Sequence, residues 1–276
     1  MAPIKIMANG LPGNMARIFV QQALAAPGFE LLPYSLTGPE IEDPTCTVAD
    51  VTLELIHPSE RQAKIAALSA THKGFISIDY THPTAVNDNA LFYCQNDLPF
   101  VMGTTGGDRE LLARTVRDAN TAAVIAPNMA KQIVGLQAMM AYAAETFPGL
   151  FDGFTLAVKE SHQKGKADTS GTAKAMVAYF NAMGVPFSAD QISMERDPVR
   201  QAKVWRIPEA YIGGHGWHTY ALDSADKTVH FEFRHNVNGR DVYAHGTLDA
   251  VKYLAAKVSA GVKGEVFNMI DVLKGK

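Results

Sequence analysis

The sequence predicts an α/β protein in which an N-terminal Rossmann-like domain with a parallel sheet precedes an α+β domain with a largely antiparallel or mixed sheet. Strand-like and helix-like segments alternate up to Ala126, which is typical of a parallel sheet covered by helices on both faces. A glycine turn follows the first strand, as in dinucleotide-binding folds. After Gly184 the strand-like segments alternate apolar and polar residues, which indicates a sheet with one solvated face.

The first domain is predicted to consist of short apolar strands separated by helices with apolar residues at helical spacing. Ser59 is the expected N-cap of the second helix, because a hydroxyl at that position accepts a hydrogen bond from the first turn. The predicted strands cover residues 3–8, 29–36, 51–56, 75–79, 98–102 and 122–126, and the predicted helices cover 14–25, 59–70, 84–95 and 108–120.

The second domain is predicted to begin after Asn128, where the alternation ends. Its helices are predicted at 132–146 and 171–183, and its strands at 154–158, 191–195, 216–222 and 228–237. The last two strands flank turn-forming residues at 223–227 and are expected to form a hairpin. A helix at 247–259 and an apolar segment at 266–273 follow. We therefore predict a dinucleotide-binding domain at 1–128, a substrate-binding and oligomerisation domain at 129–242, and a C-terminal segment, 243–276, that can pack back on the first domain.

The composition is that of an ordinary globular protein. Of the 276 residues, 47% are hydrophobic and 19% are charged, and the formal net charge is −3. The chain has no dense run of Lys and Arg, which argues against nucleic acid as a partner, and no apolar run long enough to cross a membrane. The N-terminus enters an apolar strand at Ile4, so no targeting segment is expected. With only Cys46 and Cys94, a reducing, cytoplasmic location is predicted.

The turn after the first strand is predicted to bind a dinucleotide. Two glycines lie three residues apart between a strand and a helix, and there they let the backbone turn tightly and approach a pyrophosphate. The pattern is shorter than the full G-x-G-x-x-G fingerprint, and an ordinary tight turn is the alternative. The candidate cofactor-binding residues of this turn are Asn9, Gly10, Gly13, Asn14 and Met15.

The end of the second predicted strand bears on the choice of cofactor. A carboxylate there would hold the ribose of NAD, but Glu30 lies at the start of that strand and no other carboxylate follows until Glu40. The hydroxyls of Ser35 and Thr37 instead tolerate a 2′-phosphate, with Arg17 as a candidate partner. The sequence therefore favours NADPH, with NADH as the alternative.

Two later loops are expected at the same edge of the sheet, where parallel sheets bind their ligands. Asp79 and Thr81 follow the fourth strand, and Gly103, Thr104 and Thr105 follow the fifth. Such loops can offer backbone groups to a nicotinamide amide with little steric obstruction. We predict that these residues contact the cofactor, although glycines that only turn the chain would give the same pattern.

The stretch at residues 160–173 connects a strand to a helix and carries one histidine and two lysines. A helix start offers unpaired backbone N–H groups and the positive end of the helix dipole, which together bind anions. Lys166 adds positive charge, and His162 can exchange a proton near neutral pH. The combination suits a small acidic substrate that receives a proton. A solvated loop capped by Ser170 or Thr169 is the structural alternative.

Four further histidines of the second domain form no evident metal-ligand pattern. His215 and His218 are three residues apart, and His230 and His235 are five apart, without the converging carboxylates or thiolates that a zinc site needs. We therefore predict no metal. His218 is retained as a residue that can line the substrate pocket.

Taken together, these segments resemble the dihydrodipicolinate reductase (4-hydroxy-tetrahydrodipicolinate reductase) family of the lysine and diaminopimelate pathway, nearly from end to end. The most specific match runs from Glu160 and His162 through Lys166 to the Ser-Gly-Thr-Ala at 170–173. The common bacterial pattern has two adjacent histidines where this chain has His162 and Gln163, so the chain is more similar to the plant-type branch. The other matching segments are 9–15, 79–83, 103–106 and 126–128.

The resemblance implies that hydride from a reduced nicotinamide reaches one ring carbon of a cyclic dicarboxylate imine and that a proton reaches its neighbour. It implies His162 as the proton donor and Lys166 as the residue that stabilises or relays charge. The substrate would be bound by Ser170, Gly171 and Thr172 at the helix start, with Gln163 and His218 as further candidates.

The resemblance also adds residues at the hinge between the two domains. Pro127, Asn128 and Met129 join the candidate cofactor-binding residues. Because the family is oligomeric, a homo-oligomer, either a dimer or a tetramer, is expected.

Two other functions remain open at this point. A related two-domain nicotinamide dehydrogenase would oxidise an alcohol or an amine and has no need for a cationic Ser-Gly-Thr site. A dinucleotide-binding sensor without turnover is suggested by the missing second histidine. Consumption of NADPH with the family's substrate separates these possibilities.

Overall fold

A computed structural model describes residues 2–275, which form two compact units. The first unit comprises the described residues up to Lys131 together with those from Asp241 onward, and the second comprises Gln132–Arg240. The sequence analysis expects these divisions after 128 and after 242. Within the described residues, no helix combines the length and the apolar character needed to span a membrane.

The first unit is built on a six-stranded sheet in which every neighbouring pair is parallel, and its spatial order is β13-β8-β7-β6-β1-β2. The predicted Rossmann-like parallel sheet is confirmed. The strands of this unit are β1 (Ile4–Asn9), β2 (Phe29–Leu31), β3 (Tyr34–Leu36), β4 (Thr45–Val48), β5 (Val51–Ile56), β6 (Ile76–Asp79), β7 (Phe100–Met102), β8 (Ala123–Ile125) and β13 (Val266–Phe267).

Helices follow most strands of the first unit and cover the sheet. The described helices are α1 (Asn14–Ala25), α2 (Arg61–Thr71), α3 (Val86–Gln95), α4 (Arg109–Arg117), α8 (Asp241–Ser259) and α9 (Met269–Lys274). Strand residues such as Met7 and Phe100 pack with helix residues such as Ile65, Tyr93 and Leu112 in one apolar core. Burial of this apolar surface is the main force that holds helices onto the sheet.

Three local features of the first unit differ from the sequence-based expectation. The second predicted strand is broken at Pro33, which has no N–H to donate, and β3 pairs with β5 in a separate three-stranded sheet of order β3-β5-β4. Strand β4 was not predicted. Ser59 is not the N-cap of α2, because the helix begins after Glu60 and the Ser59 hydroxyl instead hydrogen-bonds Nδ1 of His57 at 2.8 Å.

The second unit has a four-stranded mixed sheet of order β10-β9-β11-β12, in which β10 is parallel to β9 and the other neighbours are antiparallel. The predicted mixed sheet is confirmed, and the predicted hairpin is formed by β11 and β12. A short helix after Asp197, which was not predicted, has a proline in its first turn. The elements are α5 (Lys131–Thr146), β9 (Thr155–His162), α6 (Gly171–Ala182), β10 (Ser193–Glu195), α7 (Pro198–Lys203), β11 (His215–Asp223) and β12 (His230–Asn238).

One face of this sheet changes character along the strands. Residues directly opposite each other in the antiparallel pair β9–β11 share a face. At one end that face carries Leu156 opposite Leu222, which pack with Phe180 of α6 in the core. Towards the other end it carries Glu160 opposite His218. Along β9 and β11, the apolar core on this face of the sheet is therefore followed directly by a cluster of polar side chains.

Candidate active site

A cleft of about 870 Å³ lies in the first unit at the carboxyl ends of β1, β3, β5 and β6. Its walls are the turn after β1, the segment after β3, the segment between β5 and α2, and the segment after β6. Parallel sheets bind nucleotides at this edge, where helix N-termini and loop amides converge. The cleft is therefore the candidate cofactor site.

The glycines of the β1–α1 turn are required by its geometry. Gly10 has φ +103°, and a Cβ there would overlap the backbone carbonyl of Tyr80. A Cβ on Gly13 would lie 2.7 Å from the carbonyl oxygen of Gly10, which accepts a hydrogen bond from the Gly13 N–H at 2.8 Å. The bare backbone at both positions leaves an open cradle at the start of α1. This cradle fits a dinucleotide pyrophosphate.

Asp79, at the end of β6, is completely buried and accepts hydrogen bonds from three elements. Its Oδ1 accepts from the backbone N–H and hydroxyl of Thr81 at 3.2 and 2.8 Å, and from the hydroxyl of Thr104 at 2.6 Å. Its Oδ2 accepts from the hydroxyl of Tyr93 at 2.8 Å and from Nδ2 of Asn89 at 3.0 Å. The carboxylate thereby fixes the loops after β6 and β7 against α3.

Asn9 extends this network to the glycine turn. Its Oδ1 accepts a hydrogen bond from the backbone N–H of Leu36 at 3.0 Å, and its Nδ2 donates to the Tyr93 hydroxyl at 3.1 Å. Burial and the neighbouring Asp79 raise the pKa of Tyr93 well above its ordinary value, so the hydroxyl keeps its proton. In β3, which belongs to the three-stranded sheet, the Ser35 hydroxyl accepts from the backbone N–H of Leu11 at 3.2 Å. The end of β3 is thus tied to the turn after β1.

The cofactor-binding residues predicted from sequence fall into three groups in the first unit. Some line the cleft, namely Gly10, Gly13, Thr37 and Thr81. Others have buried side chains and can support the cleft without facing it, namely Asn9, Ser35, Asp79, Thr104 and Met129. The remainder lie in the same unit but not in the walls of this cleft, namely Asn14, Met15, Gly103, Thr105, Pro127 and Asn128.

The cleft also contains residues that the sequence analysis did not select. Tyr80 lines it, donates or accepts a short hydrogen bond with the Thr247 hydroxyl, and has its pKa raised to about 12, mainly by burial. Arg61 and Glu40 line it as well, and the Arg61 guanidinium lies 4.5 Å from the centroid of the Phe92 ring. Tyr80 lies within residues 79–83, one of the segments that match the family pattern, whereas no pattern in the sequence around Arg61 indicates a binding role.

In the second unit, His162 is placed by the strand opposite it. The residue opposite on β11 is Gly216, where a Cβ would lie 3.0 Å from Cε1 of the His162 ring. The imidazole therefore lies over β11, with Nδ1 3.0 Å from the carbonyl oxygen of His215 and Nε2 3.1 Å from Nε2 of His218. Burial lowers the pKa of His162, an effect that the nearby Glu160 carboxylate opposes.

Glu160 and Arg196 organise the loop that carries Lys166. Glu160 is completely buried, and its Oε1 accepts from Nη2 of Arg196 at 2.5 Å while its Oε2 accepts from the backbone N–H of Ser170 at 3.0 Å. The Arg196 guanidinium also donates to the carbonyl oxygens of Lys166 at 2.7 Å and Asp168 at 3.3 Å. Arg196, for which the sequence carries no local signal, therefore holds the backbone of residues 166–168 in place.

The predicted anion site lies at the start of α6. The backbone N–H groups of the first helical turn, from Gly171 onward, have no partner within the helix by helix geometry. Thr172 is half-buried in this turn, and Gln163 is half-buried in the loop before it. Nζ of Lys166 donates to Oδ1 of Asp168 at 2.8 Å, an ion pair in which Asp168 is largely exposed. Lys166 is thus held near the helix start by a solvent-facing partner that an anion can replace.

Glu160, His162 and His218 offer ligand atoms within 4.8 Å of one another, an arrangement that could hold a metal ion. Hydrogen bonds also account for it, because Arg196 occupies the carboxylate and the two imidazoles bond each other. The predicted absence of a metal stays a prediction. His218, which is 2% exposed, has both ring nitrogens engaged, since its Nδ1 lies 3.0 Å from the Tyr220 hydroxyl.

Family models match both parts of the chain. The model described as dihydrodipicolinate reductase, N-terminus, matches residues 4–129, and the model of the C-terminus matches residues 133–273. The chain belongs to the dihydrodipicolinate reductase family. The resemblance found in the sequence is confirmed, and the chain is accordingly an oxidoreductase that uses a nicotinamide cofactor.

Relatives of this reductase family place the chain in the plant-type branch, as predicted. It is 44% identical to a rice (Oryza sativa subsp. japonica) protein named probable 4-hydroxy-tetrahydrodipicolinate reductase 1, chloroplastic, over 98% of this chain and 78% of the relative. It is 45% identical to Arabidopsis thaliana 4-hydroxy-tetrahydrodipicolinate reductase 1, chloroplastic, with the same two coverages. Identity to the Nostoc sp. protein of this name is 27%, over 91% of this chain and 93% of the relative.

A solved reductase of the family shares the fold. The dipicolinate-bound dihydrodipicolinate reductase from Paenisporosarcina sp. TG-14 aligns with a TM-score of 0.66 at 19% identity, covering 96% of this chain and 97% of that one. An engineered D-amino acid dehydrogenase bound to NADP⁺ aligns with a TM-score of 0.50 at 11% identity, covering 98% and 94%. At these identities the likeness concerns the fold alone.

Proposed function

We propose that this chain uses NAD(P)H to reduce 4-hydroxy-tetrahydrodipicolinate (dihydrodipicolinate) to tetrahydrodipicolinate in lysine (diaminopimelate) biosynthesis. The observation that carries the proposal is that Glu160 joins His162 to the start of α6, since its Oε2 lies 4.0 Å from Nε2 of His162 and accepts from the backbone N–H of Ser170. Lys166 lies in the loop between them and is close enough to act on the pKa of His162. A proton donor, a cation and an anion-binding helix start are the groups that a cyclic dicarboxylate imine needs. The names of the plant relatives support the same substrate.

The roles of the residues follow from their chemistry. The nicotinamide, when bound, supplies the hydride. Gly171 and Thr172 offer backbone N–H groups to one carboxylate of the substrate at the positive end of α6, and Gln163 contributes from the loop before it. Ser170 contributes its hydroxyl, because its own N–H already donates to Glu160. Lys166 exchanges its exposed partner Asp168 for the substrate and stabilises negative charge that develops there. His162, held in one orientation through Nδ1, delivers the proton from Nε2, which exchanges its hydrogen bond with His218 for one with the substrate.

The cofactor preference is proposed to be NADPH. Thr37 lines the cleft after β3, and Arg61 supplies a positive charge in the same cleft. Glu40 also lines it, and its carboxylate oxygens lie against Gly38, where they could bind the free hydroxyls of an NADH ribose. Steady-state kcat/KM values for the two cofactors test the proposal. A higher kcat/KM with NADH than with NADPH would contradict the proposal, and loss of that preference in Glu40→Gln would assign it to the Glu40 carboxylate.

The assembly is proposed to be a homo-oligomer, a dimer or a tetramer. The face of the four-stranded sheet opposite the core carries exposed polar side chains on β12, including Arg234 and Asn236. β12 is also an edge strand of this sheet, and an exposed edge can pair with an edge of a second copy. Light scattering coupled to size exclusion measures the subunit number, and a monomer at working concentration would contradict the proposal.

The cytoplasmic location stays a prediction, and the rice and Arabidopsis relatives are named chloroplastic.

A coupled assay tests the reaction itself. The purified chain is mixed with NADPH and freshly made product of dihydrodipicolinate synthase, and loss of the reduced nicotinamide's near-ultraviolet absorbance is followed. Consumption that depends on both components is expected. Cofactor binding without consumption would favour the sensor, and NADP⁺-dependent oxidation of an amine or an alcohol would favour the related dehydrogenase.

A further inference from the structure

A chain of hydrogen bonds runs from the backbone of β11 through two imidazoles to a buried phenol. It begins at the carbonyl oxygen of His215, 3.0 Å from Nδ1 of His162. It continues from Nε2 of His162 to Nε2 of His218 at 3.1 Å, and from Nδ1 of His218 to the hydroxyl of Tyr220 at 3.0 Å. Every link is within hydrogen-bonding distance.

The carbonyl at one end fixes the proton positions along the chain. A carbonyl oxygen only accepts, so Nδ1 of His162 carries a proton. In the neutral imidazole Nε2 is then an acceptor, which requires that Nε2 of His218 donates to it. Nδ1 of His218 is in turn an acceptor, which requires that Tyr220 donates its hydroxyl proton. A single tautomer of each histidine satisfies all three hydrogen bonds.

Protonation of His162 reverses part of this order. The added proton on Nε2 of His162 must be accepted by Nε2 of His218, whose own proton then lies on Nδ1 and is donated to the oxygen of Tyr220. A phenol can donate in the first state and accept in the second. A side chain without the hydroxyl leaves Nδ1 of His218 without a partner, which costs more in the second state because a buried N–H is then unpaired beside a cation.

We propose that Tyr220 is a positioning residue that adjusts the tautomer of His218 and thereby supports the protonated, proton-donating form of His162. His218 then acts on His162 through the hydrogen bond between the two Nε2 atoms, and its role is to hold the transferable proton on His162 instead of contacting the substrate. The inference rests on the proposed function, since it assigns roles around the same proton donor.

The surroundings allow Tyr220 to act in this way. Its side chain and that of His218 lie two residues apart on β11 and therefore share a face. Tyr220 is fully buried, and burial raises its pKa above the ordinary value, so it remains a hydroxyl at working pH. The other titratable groups around the chain are Glu160, Lys166, Arg196, His215 and His235.

These neighbouring charges are unchanged when Tyr220 is replaced by phenylalanine. Glu160 favours the protonated His162, whereas Arg196 and Lys166 disfavour it. His235 stacks on His218 with ring centroids 4.6 Å apart. Because Tyr220→Phe removes one oxygen and leaves all of these groups in place, a change in the titration of His162 reports on the hydroxyl itself.

Nitrogen-15 spectra of the side chains of the whole protein, labelled at histidine, test the tautomers directly. We expect His162 protonated at Nδ1 and His218 protonated at Nε2 near neutral pH. In Tyr220→Phe the pKa of His162 should fall by about one pH unit, since an unpaired buried donor shifts an equilibrium by about tenfold. Tyr179→Phe, in the same apolar core but outside this chain, should leave the titration unchanged.

Kinetics give a second readout. We expect kcat to fall as rising pH removes the proton from His162. In Tyr220→Phe this fall in kcat should occur about one pH unit lower than in the wild type. At lower pH, where His162 is protonated, kcat and the substrate KM should stay close to the wild-type values. A purely structural role would lower stability without moving the pH at which kcat falls.

The outcomes separate this inference from the proposed function. If His162 titrates identically in Tyr220→Phe and wild type, the inference is overturned even though the reductase assay succeeds. If His218 is protonated at Nδ1 in the neutral wild-type protein, the inference is likewise overturned. If the titration shifts while the protein consumes no NADPH in the reductase assay, the hydrogen-bond chain is supported and the proposed function fails.

Discussion

The two units each contain a buried polar network, and the two networks differ in the kind of group they use. In the first unit, the Asp79 carboxylate accepts five hydrogen bonds from side-chain and backbone groups. A carboxylate only accepts, so each of these groups must act as the donor. In the second unit, His162, His218 and Tyr220 can each donate or accept at the same atom. A network of fixed donors and acceptors sets positions, whereas one of interchangeable groups lets a proton change place.

The comparison also explains why each network lies where it does. The Asp79 network joins the ends of β1, β3 and β6, which border the candidate cofactor cleft, to α3 and to the loop after β7, and such a cleft must keep its shape around a long cofactor. The histidine chain lies beside the loop with Lys166, where the proposed reaction needs a proton. Under the proposed function, the same structural device, a satisfied buried network, therefore serves binding in one unit and proton transfer in the other.

The largest effect is expected from His162→Ala, which removes the proton donor of the second network. Turnover should fall by roughly 10²–10⁴-fold, while affinity for the cofactor, whose proposed site is in the first unit, should stay the same. Steady-state kinetics and calorimetric titration of the cofactor measure the two quantities. His230→Ala, at an exposed position on β12, is the matched control. Unchanged turnover would remove His162 from the mechanism.

Lys166→Ala tests whether the charge beside that network contacts the substrate. We expect kcat to fall and substrate KM to rise, each by roughly tenfold, because a charge-assisted contact is lost. Lys164→Ala, exposed in the same loop, should be close to wild type. A change confined to thermal stability would mean that Lys166 is structural.

Asp79→Asn tests the fixed network. The amide of asparagine has an NH₂ group in place of one carboxylate oxygen, so donors that bind that oxygen in the wild type lose their acceptor. The free energy of unfolding should therefore fall by about 2–3 kcal/mol, and cofactor affinity should weaken. Turnover at saturating cofactor should change little. Urea unfolding and cofactor titration, compared with the exposed control Asp118→Asn, measure both. Loss of turnover at saturating cofactor, with stability retained, would contradict the division of roles between the units.

The smallest effect concerns acid stability. Burial lowers the pKa of His218 to about 2 and that of His235 to about 4, below the value of about 6.5 expected in the unfolded chain. The unfolded state therefore binds more protons, and stability should be lost as pH falls from about 6.5 towards 4, by roughly 1 kcal/mol per pH unit for each histidine. His235→Phe should flatten this slope in urea unfolding, and His245→Gln should not. An equal slope in His235→Phe would refute the assignment.

Much of the fold and the centre of the candidate site could be predicted from sequence. Alternating strands and helices, the glycines at 10 and 13, and the residues at 160–173 carry local signals, because turns and helix starts depend on neighbouring residues. Arg196, Tyr93 and Tyr220 could not be found in this way. Arg196 and Tyr93 bind Glu160 and Asp79, which helix packing and strand pairing bring to them from other elements. The partner of Tyr220, His218, is only two residues away, but its link to His162 depends on the register of β9 against β11.

The break at Pro33 and the unpredicted strand β4 have a similar explanation. The proline was visible, but whether the chain would continue beside β1 or cross to β5 depends on the hydrogen bonds that β5 offers. Likewise, the burial of Asn9 and Asp79 was not evident from their positions at strand ends. Polar residues at such ends can face a ligand or brace a loop, and only the surrounding packing distinguishes the two.

Gly216 sets a limit on how far the second unit can vary. Within a strand most side chains are acceptable, yet at this position near the start of β11 even a methyl group would crowd the ring of His162. Alternate positions on the same strand, such as Trp217 and Thr219, point to the other face and are under no such restriction. Libraries that randomise this strand and select for growth without added lysine should recover glycine at 216 beside varied residues at its neighbours.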